Sequence, residues 1–182
     1  MSVTPRHHRA ANGEPCITPP RPDDHMTQPP ARQIAFGSSS AIVTSLGLIV
    51  GFGAAAVSRA ALVSGLLIIG LADNISDSLS IHIFQESENL EAGSAFKATL
   101  TNFLARLIVA ITFVGLVLLS RPSMVIAFSV AWGVLLLGAL TYGVARIRQV
   151  SPWPEMLRHL VVALIVIGVS RGLGGWIASH VR

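Results

Sequence analysis

The sequence predicts an all-α integral membrane protein, with five transmembrane helices behind a disordered, proline-rich N-terminal tail. Three observations carry that expectation. Hydrophobic residues fill 52% of the 182 positions and charged residues only 12%, and a mean hydropathy of +0.65 is well above what a soluble domain of this size sustains. Five apolar runs each reach the roughly 20 residues a helix needs to cross a hydrocarbon core. No alternating barrel pattern accompanies them, so helices, whose backbone groups bond within their own segment, are the spanning structure that remains.

Taken in order, residues 1–33 hold Pro5, Pro15, Pro19, Pro20, Pro22, Pro29 and Pro30 among few large apolar side chains, a composition that cannot offset the entropy of folding. The tail has no apolar core of the kind a secretory signal requires, and His7, His8 and His25 read as solvated rather than as metal ligands. The membrane domain, 34–182, contains spans at about 37–57, 61–84, 98–120, 123–145 and 156–178. Their breaks fall at Ser58-Arg59, at the acidic stretch around Glu86 and Glu88, at Arg121-Pro122, and from Arg146 to Pro154.

The charges that remain sort by position. The net charge is +4, and twelve of the thirteen basic residues are arginines placed between or beside apolar runs rather than clustered on a polar domain, so a nucleic-acid partner is not expected. Arg6, Arg9, Arg21, Arg32, Lys97, Arg146, Arg148 and Arg158 lie on the N-terminal side, against Arg59, Arg121 and Arg182 on the other. That asymmetry predicts a cytoplasmic N-terminus. The single Cys16 excludes a disulfide framework and a cysteine zinc cluster. Phosphate-loop, nucleophile-elbow and paired-histidine motifs are missing, so an enzyme is not expected and no permanently bound cofactor is implied.

Ser40, Thr44, Gly47 and Gly51 share one face of the first span, where small residues let a neighbouring helix come close. The second span carries the residues that need explaining. Asp73 and Asp77 lie in an apolar helix, where each costs about 2.5–3.5 kcal/mol on insertion scales. At 100° per residue they share a stripe with Ser80, flanked by Asn74 and Ser76, and a helix continuing past the membrane adds Glu88 and Glu91. His82 points elsewhere.

Two readings of the stripe stand side by side. Hard oxygen ligands can line a path for a divalent cation, or a carboxylate can be the counter-ion of Arg106. Asp77 and Arg106 each sit about 10–12 Å in from the same ends of their helices at 1.5 Å per residue, and one such ion pair leaves the other carboxylate to a second role. Arg171 is expected to snorkel to the outer interface, and Glu86, Glu88 and Glu91 either gather cations on the cytoplasmic side or, as is commoner for a charged loop, are simply solvated.

Gly37-Ser38-Ser39-Ser40-Ala41-Ile42-Val43-Thr44 with Gly51, Ile75-Ser76 followed by Ser78-Leu79-Ser80, and Ser170-Arg171-Gly172-Leu173-Gly174 resemble the vacuolar iron transporter family of iron and manganese transporters. The resemblance spans about residues 33–182. It implies a multi-pass protein of a bacterial or archaeal cytoplasmic membrane, a homodimer with the ion path at or near the subunit interface, and Fe²⁺ or Mn²⁺ carried out of the cytoplasm in exchange for protons. Asp73 and Asp77 would be the main ligands or proton carriers, Ser40, Thr44, Asn74 and Ser80 auxiliary oxygens, and Glu88 and Glu91 a gathering site. The chain departs from the family where Asp, Met and Glu ligands give way to Ser40, Asp77 and Ile81, and it lacks the large cytoplasmic insertion of many members. A partner subunit or scaffold that kept the fold without the ion site is the other expectation.

Overall fold

The computed structural model describes residues 30–87 and 92–181, which form helices α1 (Pro30–Ala54), α2 (Arg59–Ser87), α3 (Ala92–Leu119), α4 (Val125–Ile147) and α5 (Pro152–His180), with a 3-10 turn at Pro122–Met124 before α4. All five helices are long and apolar enough to cross a membrane, and the chain is a multi-pass integral membrane protein.

Helix α1 is the axis. It packs against each of the other four, α2 also leans on α3, and α5 on α4, while α2 and α5 scarcely meet. Buried Ile42, Leu46 and Ile49 of α1 share one core cluster with Phe113 and Val117 of α3 and Leu137 of α4. Gly133 of α4 makes room for Leu46, because a Cβ there would stand 2.7 Å from Leu46 Cδ1. The outward faces are aliphatic, with Leu67, Ile68, Leu71 and Ile75 exposed on α2 and Leu164, Ile165, Val169 and Leu173 on α5. Such a surface suits acyl chains as solvent.

Most helix ends overshoot the apolar runs, although α1 stops at Ala54 rather than 57 and α4 starts at Val125 rather than 123. Helix α1 begins at Pro30, inside the stretch expected to be tail, because proline is well placed in a first turn where its missing N–H is not needed. Helix α5 likewise begins at Pro152. Helix α2 continues to Ser87 and α3 starts at Ala92, so both helices extend into the stretch expected to be a loop of about a dozen residues, of which residues 88–91 lie outside the described ones. Apolarity stops at the membrane surface, whereas backbone hydrogen bonding and helix propensity do not.

The connections are locally encoded. Ser58 Oγ accepts the Ala61 amide at 3.2 Å, an N-cap for α2. Beside it Arg59 donates to the Leu118 carbonyl at 3.3 Å and to that of Ser120, latching the start of α2 onto the end of α3. Two helices close alike. Val57 N–H bonds Phe52 O and Ala56 N–H bonds Gly53 O after α1, and Val150 N–H bonds Ala145 O and Gln149 N–H bonds Arg146 O after α4. Both are Schellman motifs, and their left-handed positions are held by Ala56 and Gln149, each at φ 55°.

Candidate ion site

The polar residues of the membrane interior converge where α1, α2 and α3 meet. Buried positions on α2 shift from Leu62 and Leu66 to Asn74 and Ser78 along the helix, so its buried face turns from α1 toward α3 as it nears residue 80. Asp73 and Asp77, one helical turn apart, are left on the flank beside α1. Arg106 of α3 reaches them from beneath, one guanidinium nitrogen on Asp73 and the other on Asp77. The arginine side chain is only 2% exposed, but each carboxylate is 34% exposed.

Arg106 Nη1 also points at the Gly37 carbonyl, 3.4 Å away, which ties the cluster to α1. Only glycine fits there, since a Cβ on Gly37 would overlap the Asn102 amide. Asn102 and Arg106 are spaced i, i+4 and so share one face of α3. Asn102 is fully buried and neither its amide nitrogen nor its oxygen has a partner among the described residues; Arg106 Nε, Asn74 Oδ1 and Ser78 Oγ are in the same state. This is an expensive set of groups to hold in hydrocarbon.

Arg106 thus takes both carboxylates, where a single pair with Asp77 was expected to leave Asp73 over. One guanidinium thus faces two carboxylates. Thr44 lines, with Asp73, Ser45, Gly70 and Arg106, a small recess between α1, α2 and α3. Ser40 is half-buried one turn away on α1.

Asn74 faces α3 instead, donating to Phe103 O at 3.0 Å. Ser80 is exposed and its hydroxyl is bonded to Ser76 O at 3.0 Å. His82 pairs with Glu86 along its own helix at 3.4 Å, and Arg171 is exposed on α5. Glu88 and Glu91 lie outside the described residues, as do His7, His8 and His25. Among the described residues no group of three or more His, Cys, Asp or Glu side chains is placed to hold a metal ion.

The sequence reading passed over Asn102, although its i, i+4 spacing to an intramembrane arginine was the available signal. Small residues organise the other side of α1. Gly51 meets Ser170, and Gly174 lies so close to the Gly51 carbonyl that a Cβ on it would overlap that oxygen.

No protein-family model, no curated protein and no solved structure matches the chain.

Proposed function

We propose that this membrane protein transports a divalent cation, and that Asp73, Asp77 and Arg106 form its exchange site. The observation that carries the reading is that two partly exposed carboxylates share one buried arginine within the membrane. Intramembrane acids are costly and commonly mark ion pathways. The unmatched negative charge is balanced by a proton in one state and by the cation in another, so that the cation displaces the guanidinium from one or both carboxylates. Thr44 and Ser40 offer neutral oxygens to complete the shell, with water filling the rest. The resemblance to the vacuolar iron transporter family supports Fe²⁺ or Mn²⁺ as cargo, export from the cytoplasm against protons, a cytoplasmic N-terminus and a homodimer.

The test is Mn²⁺ and Fe²⁺ flux in proteoliposomes under a proton gradient. Asp73→Asn with Asp77→Asn is expected to abolish flux while the protein still folds, and transport at the parental rate by this double variant would sink the assignment.

A second reading is favoured by Arg106 engaging both carboxylates: the cluster is a structural tie in a non-transporting scaffold or partner subunit. It predicts no flux in the parent, and assembly restored by pairing Asp77→Arg with Arg106→Asp after each alone prevents it.

A further inference from the structure

Beside the carboxylate stripe, α2 carries a second polar line. Asn74, Ser78, His82 and Glu86 follow one another at intervals of four residues and so share one face of the helix. Exposure rises along that line: Asn74 and Ser78 are 2% and 8% exposed, the side chains of His82 and Glu86 37% and 66%. The apolar span of α2 ends at Phe84. The line therefore starts in the membrane interior beside Asp73 and ends at an aqueous face, where His82 pairs with Glu86.

Helix α3 supplies the other wall of this seam. Arg59 meets Leu118, Gly70 faces Ala110 and Asn74 meets Phe103, so the two helices run antiparallel in a steady register. That register sets Asn102 between the levels of Asn74 and Ser78, one turn from Arg106 toward the aqueous face. The Cβ position of Gly37 meets both the Asn102 amide and the Arg106 stem, which places those side chains next to each other beneath α1. The recess at Thr44 and Gly70 lies on the opposite side of Arg106.

Five buried polar atoms of this layer have no partner among the described residues: Asn102 Nδ2 and Oδ1, Asn74 Oδ1, Ser78 Oγ and Arg106 Nε. Left dry, each such group costs about 1–3 kcal/mol. Two are donors and the others accept, and water does both. A buried water makes about three hydrogen bonds, so a short chain of them satisfies the whole set.

We infer that the α2–α3 seam binds a chain of ordered water, held by Asn102, Asn74, Ser78 and Arg106, and that this chain carries protons between the Asp73–Asp77 pair and the membrane face at Glu86. Asp77 stands seven residues short of Phe84, about 10 Å along the helix axis, too far for a carboxyl proton to reach that face unaided. Each water accepts one hydrogen and releases another, and the proton ends on, or leaves from, an Asp77 oxygen. The amides and the hydroxyl hold the chain and are not themselves titrated. The inference goes beyond the transport reading and needs no carried cation.

The experiment follows hydrogen exchange by infrared spectroscopy on the full chain in lipid nanodiscs. With Cys16→Ser removing the native thiol, Ser78→Cys places a single S–H in the seam and Leu79→Cys places one on the exposed aliphatic side. In D₂O the thiol of Ser78→Cys is expected to exchange at least about tenfold faster than that of Leu79→Cys, and adding Asn102→Leu to slow it about tenfold, the effect of one lost hydrogen bond. Equal rates at the two positions, or a rate indifferent to Asn102→Leu, overturn the water chain. The carboxylate band that Asp73→Asn with Asp77→Asn removes is then followed after a drop in pH. It is expected to decay about tenfold more slowly in Asn102→Leu and in Ser78→Ala than in the parent, and Ser78→Ala keeps the test open should Asn102→Leu fail to fold. An unchanged rate in the folded variants, or a parent band that does not respond to pH, overturns the proton path. Loss of the water chain leaves the transport reading standing, and a parent without Mn²⁺ or Fe²⁺ flux leaves the water chain standing.

Discussion

Helix α1 is shared by two three-helix wedges that hold together by different means. With α2 and α3 it encloses Arg106, Asp73, Asp77, Asn102 and Asn74, a layer of charge and amide. With α4 and α5 it encloses Gly47, Gly51, Gly133, Ser170 and Gly174, where backbones approach closely. Lipid tails are as apolar as leucine, so burial of aliphatic surface does not by itself drive these helices together; polar ties and close small-residue packing are the two means left. Segregating them along one helix gives a wedge that electrostatics can rearrange beside one fixed by shape. The partly exposed carboxylates lie in the first wedge.

The largest expected effect tests the charged wedge. Arg106→Met strands two carboxylates in the membrane and should destabilise the protein by about 3–5 kcal/mol, read as a loss of thermal stability in detergent. Adding Asp73→Asn and Asp77→Asn removes the stranded charge and should recover most of that loss without restoring the proposed transport. If the triple variant is no more stable than Arg106→Met, the arginine is held for its packing around Gly37 and Asn102 and the electrostatic half of the contrast falls.

A smaller effect tests the other wedge. Gly174→Ala drives a methyl into the Gly51 carbonyl and should cost about 1–3 kcal/mol. Gly175 has nothing within 4 Å of where its Cβ would stand, so Gly175→Ala should be neutral or raise stability by up to about 1 kcal/mol. Equal effects from the neighbouring pair, measured in the same detergent, would mean that α1 and α5 are not held by shape.

The two wedges were unequally legible in the sequence. Five spans follow from apolar runs alone, and α2 announced itself because carboxylates are so rare in such runs. Periodicity put Asp73 and Asp77 on one face but does not say which neighbour that face meets, so a pair with Arg106 could be drawn from depth and a three-membered cluster could not. Asn102 is a single polar residue whose meaning depends on helix register, a long-range property. Ser40 and Thr44 were picked out as a packing face with Gly47 and Gly51; the fold splits that face, sending the glycines to α5 and Thr44 to the recess beside Asp73. Helix ends were missed by several residues because hydropathy marks the membrane and not the helix.

The smallest effect asks whether the contrast extends to the connections. Ala56 closes α1 within the charged wedge and Gln149 closes α4 within the small-residue wedge, both at φ 55° in Schellman turns where glycine is the unstrained choice. Left-handed geometry costs a side-chain-bearing residue about 1–2 kcal/mol, and glycine returns part of that relief through a more disordered unfolded chain. Ala56→Gly and Gln149→Gly should therefore each stabilise by about 0.5 kcal/mol. The sites lie on different turns without shared partners, so their gains should add, which a double variant measures. Equal and additive gains would mean that the turns are built alike and that the difference between the wedges resides in the membrane interior. A gain at Gln149 with a loss at Ala56 would mean that the α1–α2 turn holds strain on behalf of the charged wedge, most directly through the adjacent Ser58 cap and Arg59 latch.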